Sequence, residues 1–141
     1  MNHRDTEAQR ETQRAPIPSA VNETSGIVVD AAFQVHQALG PGLLERVYEQ
    51  CLQYELANRG LDVKQQVEVP LTYRELQFDY GFRIDLLVND EVVVEVKAVA
   101  VVLPIHLAQI LTYLKITEHR VGLLINFNQT KIKDGIHRLA L

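Results

Sequence analysis

One cysteine, Cys51, stands in the 141 residues, so no disulfide can close within the chain, and no Cys/His cluster offers the donors of a zinc site. That usage implies a reducing compartment. A basic excess is missing too: 14 Lys and Arg against 18 Asp and Glu leave a net charge of −4, without the electropositive footprint of a tight non-specific nucleic-acid coat. A metal-assisted site is still open, because it needs clustered acids and its ion inverts the local field. No apolar run approaches the ~20 residues of a membrane span. Met1 to Glu11 mixes acids with Arg and has no apolar signal-peptide core. A cytoplasmic protein without membrane contact is expected.

What is present suffices for one hydrophobic core: 47% of the residues are hydrophobic. Residues 1–22 are rich in Arg, Glu, Gln, Thr and Pro without apolar periodicity, and are expected to form a disordered tail before a single domain over 23–141. Arg4, Arg10 and Arg14 cancel Asp5, Glu7 and Glu11, so the excess acidity belongs to the domain. A first helix is expected from Thr24 or Ser25, carrying Ile27, Val28, Ala31, Val35 and Ala38 and ending at Gly40-Pro41-Gly42. A second should run from Leu43 to Asn58 with Leu44, Val47, Cys51 and Tyr54 on its stripe, widened by Tyr48, Leu52 and Leu56. Glu45 lies at the margin of that stripe, where an acid either favours the helix macrodipole or faces a site.

The middle of the chain is denser. Phe82 to Val88 and Val92 to Ala98 read as two strands of a buried hairpin, preceded by β-like stretches over Val63–Tyr73 and Leu76–Tyr80. Asp85, Glu95 and Lys97 interrupt the hairpin. Alternation puts Glu95 and Lys97 on the face of Val93, and Asp85 on that of Arg83 and Leu87. A three-residue loop, Asn89 to Glu91, sets Asp85 opposite Glu95, whereas a two-residue turn would part them. Two carboxylates and an ammonium inside a hydrophobic hairpin require partners. They form either a structural ion pair through Lys97 or a site for a hard divalent cation held by carboxylates and water.

After the hairpin, Pro104 opens a helix to about Ile116 with His106, Gln109 and Tyr113 on one face and Leu107, Ile110, Leu111 and Leu114 towards the core. Arg120 to Phe127 is a buried strand, reached by a crossover and therefore parallel to a neighbour. Lys131 to Leu141 gives an edge strand or tail.

Gly42-Leu43-Leu44-Glu45-Arg46-Val47-Tyr48 fits a Gly-x-x-Glu-x-x-Tyr motif, Asp85 precedes Glu95-Val96-Lys97, and Gln109 and Tyr113 form Gln-x-x-x-Tyr. With these motifs in this order, the chain from about Ser25 onward resembles the GxxExxY family of the PD-(D/E)XK nuclease-like superfamily, with a helix motif similar to that of RecB-type members. Ile84 stands where the superfamily's namesake Pro would be. The resemblance implies an α/β, restriction-endonuclease-like αβββαβ core, a central mixed sheet flanked by helices. It implies Mg²⁺ or Mn²⁺ on Asp85, Glu95 and the Val96 carbonyl, with Glu45 reaching the same ion, and Lys97 assisting the attacking water. Gln109 and Tyr113 would hold substrate, with Tyr48 and Arg83 as further candidates. The expected activity is hydrolysis of nucleic acid, DNA favoured, by the chain alone, as a homodimer or in a larger assembly. A catalytically silent binding module on the same fold is the alternative, favoured by the acidic balance.

Overall fold

The computed structural model describes residues 15–141. Helix α1 (Ser19–Leu39) and helix α2 (Glu45–Asn58) come first. Strands β1 (Val63–Tyr73), β2 (Leu76–Val88) and β3 (Val92–Lys97) follow, then helix α3 (Pro104–Thr117) and strand β4 (Val121–Asn126). A short 3₁₀ turn, Ile132–Gly135, leads to strand β5 (Ile136–Ala140). The five strands lie side by side in chain order, antiparallel except for β3 against β4. This is the mixed α/β sheet expected of a restriction-endonuclease-like fold. The parallel pair follows from the α3 crossover, which is too long for a hairpin.

Helices cover both faces. Val28, Ala31, Ala32 and Val35 of α1 and Tyr48, Leu52 and Leu56 of α2 pack on Leu86, Val88, Val92, Val94, Val96, Leu123 and Ile125. On the other face Ile110 and Leu114 of α3 meet Leu87, Val93 and Leu124. Alternation along β3 is as expected, with Val92, Val94 and Val96 under α1 and α2 and Val93 under α3. Gly122 lets α3 lie close, since a Cβ there would collide with Ile110.

The β2–β3 register also matches: Leu86↔Val94, Leu87↔Val93 and Val88↔Val92 leave Asn89 to Glu91 as the loop. Asn89 and Asp90 take positive φ, a conformation their short polar side chains tolerate.

Two helix readings need correction. Helix α1 starts at Ser19 rather than at Thr24 or Ser25, because Pro18 presets the entry and Val21, Thr24, Ser25 and Val28 form a buried face. Thr24 and Ser25 looked like caps, yet they are interior residues, and Thr24 Oγ1 donates to Glu91 Oε1 at 3.0 Å. Of the tail expected over 1–22, residues 1–14 lie outside the described residues, whereas 19–22 are the first turn of α1, with Val21 buried in the core. On α2 the buried seam is Tyr48, Leu52 and Leu56, while Leu44, Val47 and Tyr54 are exposed. The helix is turned by one residue, about 100°, because the large Tyr48 ring finds partners inside.

Candidate functional site

The site forms where the long β1–β2 pair leaves the sheet. Val63 packs in the cluster under α1 and α2, but Val67 and Val69 pack in the cluster under α3. In β2, Leu86 and Val88 belong to the first cluster and Ile84 to the second. Residues an even number apart on a strand should share a face, so both strands change face between these positions. The change falls at Gln66 and Asp85, between the paired Gln65↔Leu86 and Val67↔Ile84. Gln66 has φ 50°, far from extended backbone.

This corrects the expected orientation of Asp85. Its carboxylate turns towards the edge of β3, where Oδ2 accepts the Val96 N–H at 2.9 Å. In return the Asp85 N–H donates to Glu95 Oε1 at 3.3 Å. Side chains thus replace the ladder where β2 and β3 part, and the two acids are interlocked by each other's strand.

Glu95 is 8% exposed, and its carboxyl is pushed up to about 9 by burial first and by the Asp85 charge second. Glu45, at the start of α2, is raised by burial and then by Asp85, with partial relief from Lys97 and the Ala98 N–H. One turn on, Glu49 is buried and raised by desolvation, Asp85 and Glu45, while the hydrogen bond from Gln66 opposes the rise. Glu45, Glu49, Gln66 and Asp85, with Arg46, line a cavity of about 390 Å³. A larger groove of about 520 Å³ between α1 and α2 is lined by Val35, Leu39, Cys51 and several Gln, without the convergent acids of the smaller one. Glu45, Glu49 and Asp85 therefore gather at the smaller cavity.

Lys97, half-buried, lies in the field of Glu45 and Glu95. Among the described residues no carboxylate comes within 4.0 Å of its ammonium, so the ion-pair explanation of the charged hairpin is not the arrangement adopted. Tyr113 approaches from α3, stacked on Phe82 with ring centroids 4.0 Å apart. Burial and then the Glu95 and Asp85 charges raise its phenol. Gln109, exposed one turn earlier, lines a shallow pocket with Phe82 and Tyr113.

Two expected substrate contacts are placed elsewhere. Tyr48 is fully buried, stacked on Phe127 at 4.6 Å, and its hydroxyl donates to Gly40 O at 2.6 Å and accepts the Leu43 N–H at 3.0 Å. It fastens the glycine-rich loop before Glu45 and has no surface to offer a ligand. Arg83 is exposed and pairs with Glu68 at 3.4 Å, on the ribbon outside the acid cluster. His106 caps its own helix, with Nδ1 accepting the Leu103 N–H at 3.0 Å. The sequence reading missed Glu49 and Gln66. Glu49 was findable, since it follows Glu45 by four residues on the same helix face. Gln66 gave no signal, because nothing in the pattern of β1 announces a left-handed residue.

The donor set suits a hard cation. Among the described residues no three of the His, Cys, Asp and Glu side chains converge tightly enough to hold a metal as they stand. Mg²⁺ asks for less: one or two carboxylates, with water and substrate oxygens completing its shell. Asp85 and Glu95 supply oxygen only, and of the two causes that raise the Glu95 carboxyl, burial first and the Asp85 charge second, a divalent ion relieves the repulsion. Among the described residues no helix is long and apolar enough to cross a membrane.

A protein-family model described as the PD-(D/E)XK nuclease superfamily matches residues 22–139. No curated protein and no solved structure matches the chain.

Proposed function

Because the chain belongs to the PD-(D/E)XK nuclease superfamily, we propose that it is a divalent-metal-dependent nuclease, with DNA as the favoured substrate. The observation that carries this reading is the interlock of Asp85 and Glu95 across the β2–β3 fork, with Lys97 two residues on and unpaired within 4.0 Å among the described residues. A fold kept only for binding has no use for such uncompensated burial. The finer membership, in the GxxExxY family, is supported by Gly42, Glu45 and Tyr48, with Tyr48 as the residue that fastens the loop.

Asp85, Glu95 and the Val96 carbonyl would hold Mg²⁺ or Mn²⁺, with Glu45 within the same field. Such an ion supplies Lewis-acid polarisation of the phosphoryl group and a lowered water pKa. The chain's own groups do the rest. In the reaction a water oxygen bonds to phosphorus, the bond from phosphorus to the leaving sugar oxygen breaks, and the water proton is passed on to that oxygen. The Lys97 ammonium orients the water and stabilises the charge gathering on the phosphoryl oxygens. Glu45 or Glu49, once ionised, receives the proton at a carboxylate oxygen. Gln109 and Tyr113 present an amide and a phenol on the α3 side, suited to holding a phosphate oxygen.

The test is Lys97→Met, which keeps the aliphatic stem and removes the charge. Mn²⁺ binding should persist while cleavage of labelled single- or double-stranded DNA or RNA falls by roughly 10²-fold or more. Undiminished cleavage would remove Lys97 from the chemistry. The silent-module reading is favoured by the net charge of −4. It predicts no cleavage of any substrate by the wild type.

A further inference from the structure

We propose that Gln66 is the positioning residue of this site, a neutral clamp that holds the Asp85 carboxylate at the fork and ties it to Glu49 on α2. Its Nε2 donates to Glu49 Oε1 at 2.7 Å and to Asp85 Oδ1 at 3.4 Å. A primary amide has two N–H donors, and here each carboxylate receives one. Three elements, α2, β1 and β2, are thereby joined across the acid-lined cavity.

The backbone argues for the same role. Gln66 sits inside an 11-residue strand with φ 50°, a conformation that is costly for residues other than glycine and the short Asn and Asp, and that persists only where the surroundings enforce it. The flanking pairs Gln65↔Leu86 and Val67↔Ile84 keep one register, and the shift in this ribbon lies farther out, between Val69 and Leu71, so no inserted residue at Gln66 demands the twist. What the left-handed residue achieves is the change of face shared with Asp85, which brings the amide over the acids and frees Asp85 Oδ2 for the Val96 N–H. The choice of amide is also informative. A lysine here would neutralise the acids and compete with a cation, whereas glutamine holds them in place and leaves their negative charge for a ligand.

The inference rests on the nuclease reading only for the identity of the ion; the hold on Asp85 stands apart from it. The test variant is Gln66→Gly, which removes the amide and adopts positive φ without strain, so the fold should be kept and its melting temperature unchanged or raised. Gln66→Asn, tolerant of the same φ but one methylene shorter, serves if the glycine variant does not fold. Two readouts are needed. Amide hydrogen exchange should quicken several-fold at Val96, whose N–H depends on Asp85, and stay unchanged at Val94. Calorimetric Mn²⁺ affinity should drop about tenfold. Unchanged Val96 exchange, or acceleration along the whole of β3, overturns the clamp. If the wild type takes up no Mn²⁺ while Val96 quickens selectively in the variant, the clamp stands and the nuclease reading fails.

Discussion

The inner end of β2, Leu86 to Val88, is paired on both sides and buried, whereas its outer end, from Leu76 to Arg83, pairs with β1 alone and exposes Leu76, Phe78 and Tyr80. The inner end is wholly apolar, and the outer end alternates Leu76, Phe78, Tyr80 and Phe82 with Gln77, Asp79, Gly81 and Arg83, so both present apolar side chains. The difference lies in what covers them: helices on both faces of the inner end, and little beyond cross-strand pairs such as Leu71↔Phe78 and Tyr73↔Leu76 at the outer. A two-stranded ribbon is marginal by itself, and this one is anchored by the register of its inner end. Asp85 sits at the junction, held by the rigid side and opening towards the exposed one. A site of this kind gains a fixed donor geometry from the core and access from the fork.

Breaking the inner end should have the largest effect. Leu86→Ala leaves a cavity in a closed cluster and should cost about 2–5 kcal/mol in urea-induced unfolding. Tyr48→Phe comes next, because it strips both backbone partners of the buried hydroxyl and should cost about 1–3 kcal/mol, read in the same assay. It should leave the cleavage rate per folded molecule unaltered, since the side chain only fastens the loop.

A third effect sharpens the view of the junction itself. Glu95 is raised from 4.5 to about 9 by burial and by Asp85, so the folded state retains a proton that the unfolded chain releases first. Its contribution is fully present below about pH 4.5 and is lost as the pH climbs towards about 9. Melting temperature measured without metal should therefore fall across that window, and Glu95→Gln should flatten the fall. A variant with the wild-type slope would assign the pH dependence to Glu45 and Glu49. The smallest effect is expected at the outer end, where Phe78→Ala should cost less than about 1 kcal/mol. A loss as large as that of Leu86→Ala would erase the distinction between the two ends.

Much of this was legible from residues alone. The count of loop residues fixed the hairpin register, and Val92 to Lys97 alternated as a strand with a helix layer on each side must. The acids at 85 and 95 were found because charge inside such a strand has no cheap explanation. Legibility ended where a local rule met a tertiary demand. Thr24 and Ser25 have the chemistry of caps, yet packing and the Glu91 carboxylate drew them inside a longer helix. Tyr48 has the chemistry of a ligand contact, but the Gly40 carbonyl and the Leu43 N–H already use its hydroxyl. The alternation that worked on β3 misplaced Asp85, because a left-handed Gln66 on the neighbouring strand turns both strands over. No periodicity within β2 could reveal a distortion that originates in β1.

The most direct measurement is a calorimetric titration of Mg²⁺ and Mn²⁺ into the wild type and Glu95→Ala, with both proteins then incubated with labelled single- and double-stranded DNA and RNA. The account predicts that the wild type binds the ion and cuts at least one substrate, and that the variant loses both. A wild type that binds no ion at millimolar concentration and cuts nothing would contradict it, leaving Asp85, Glu95 and Lys97 as a charged cluster on a nuclease fold that serves a protein partner.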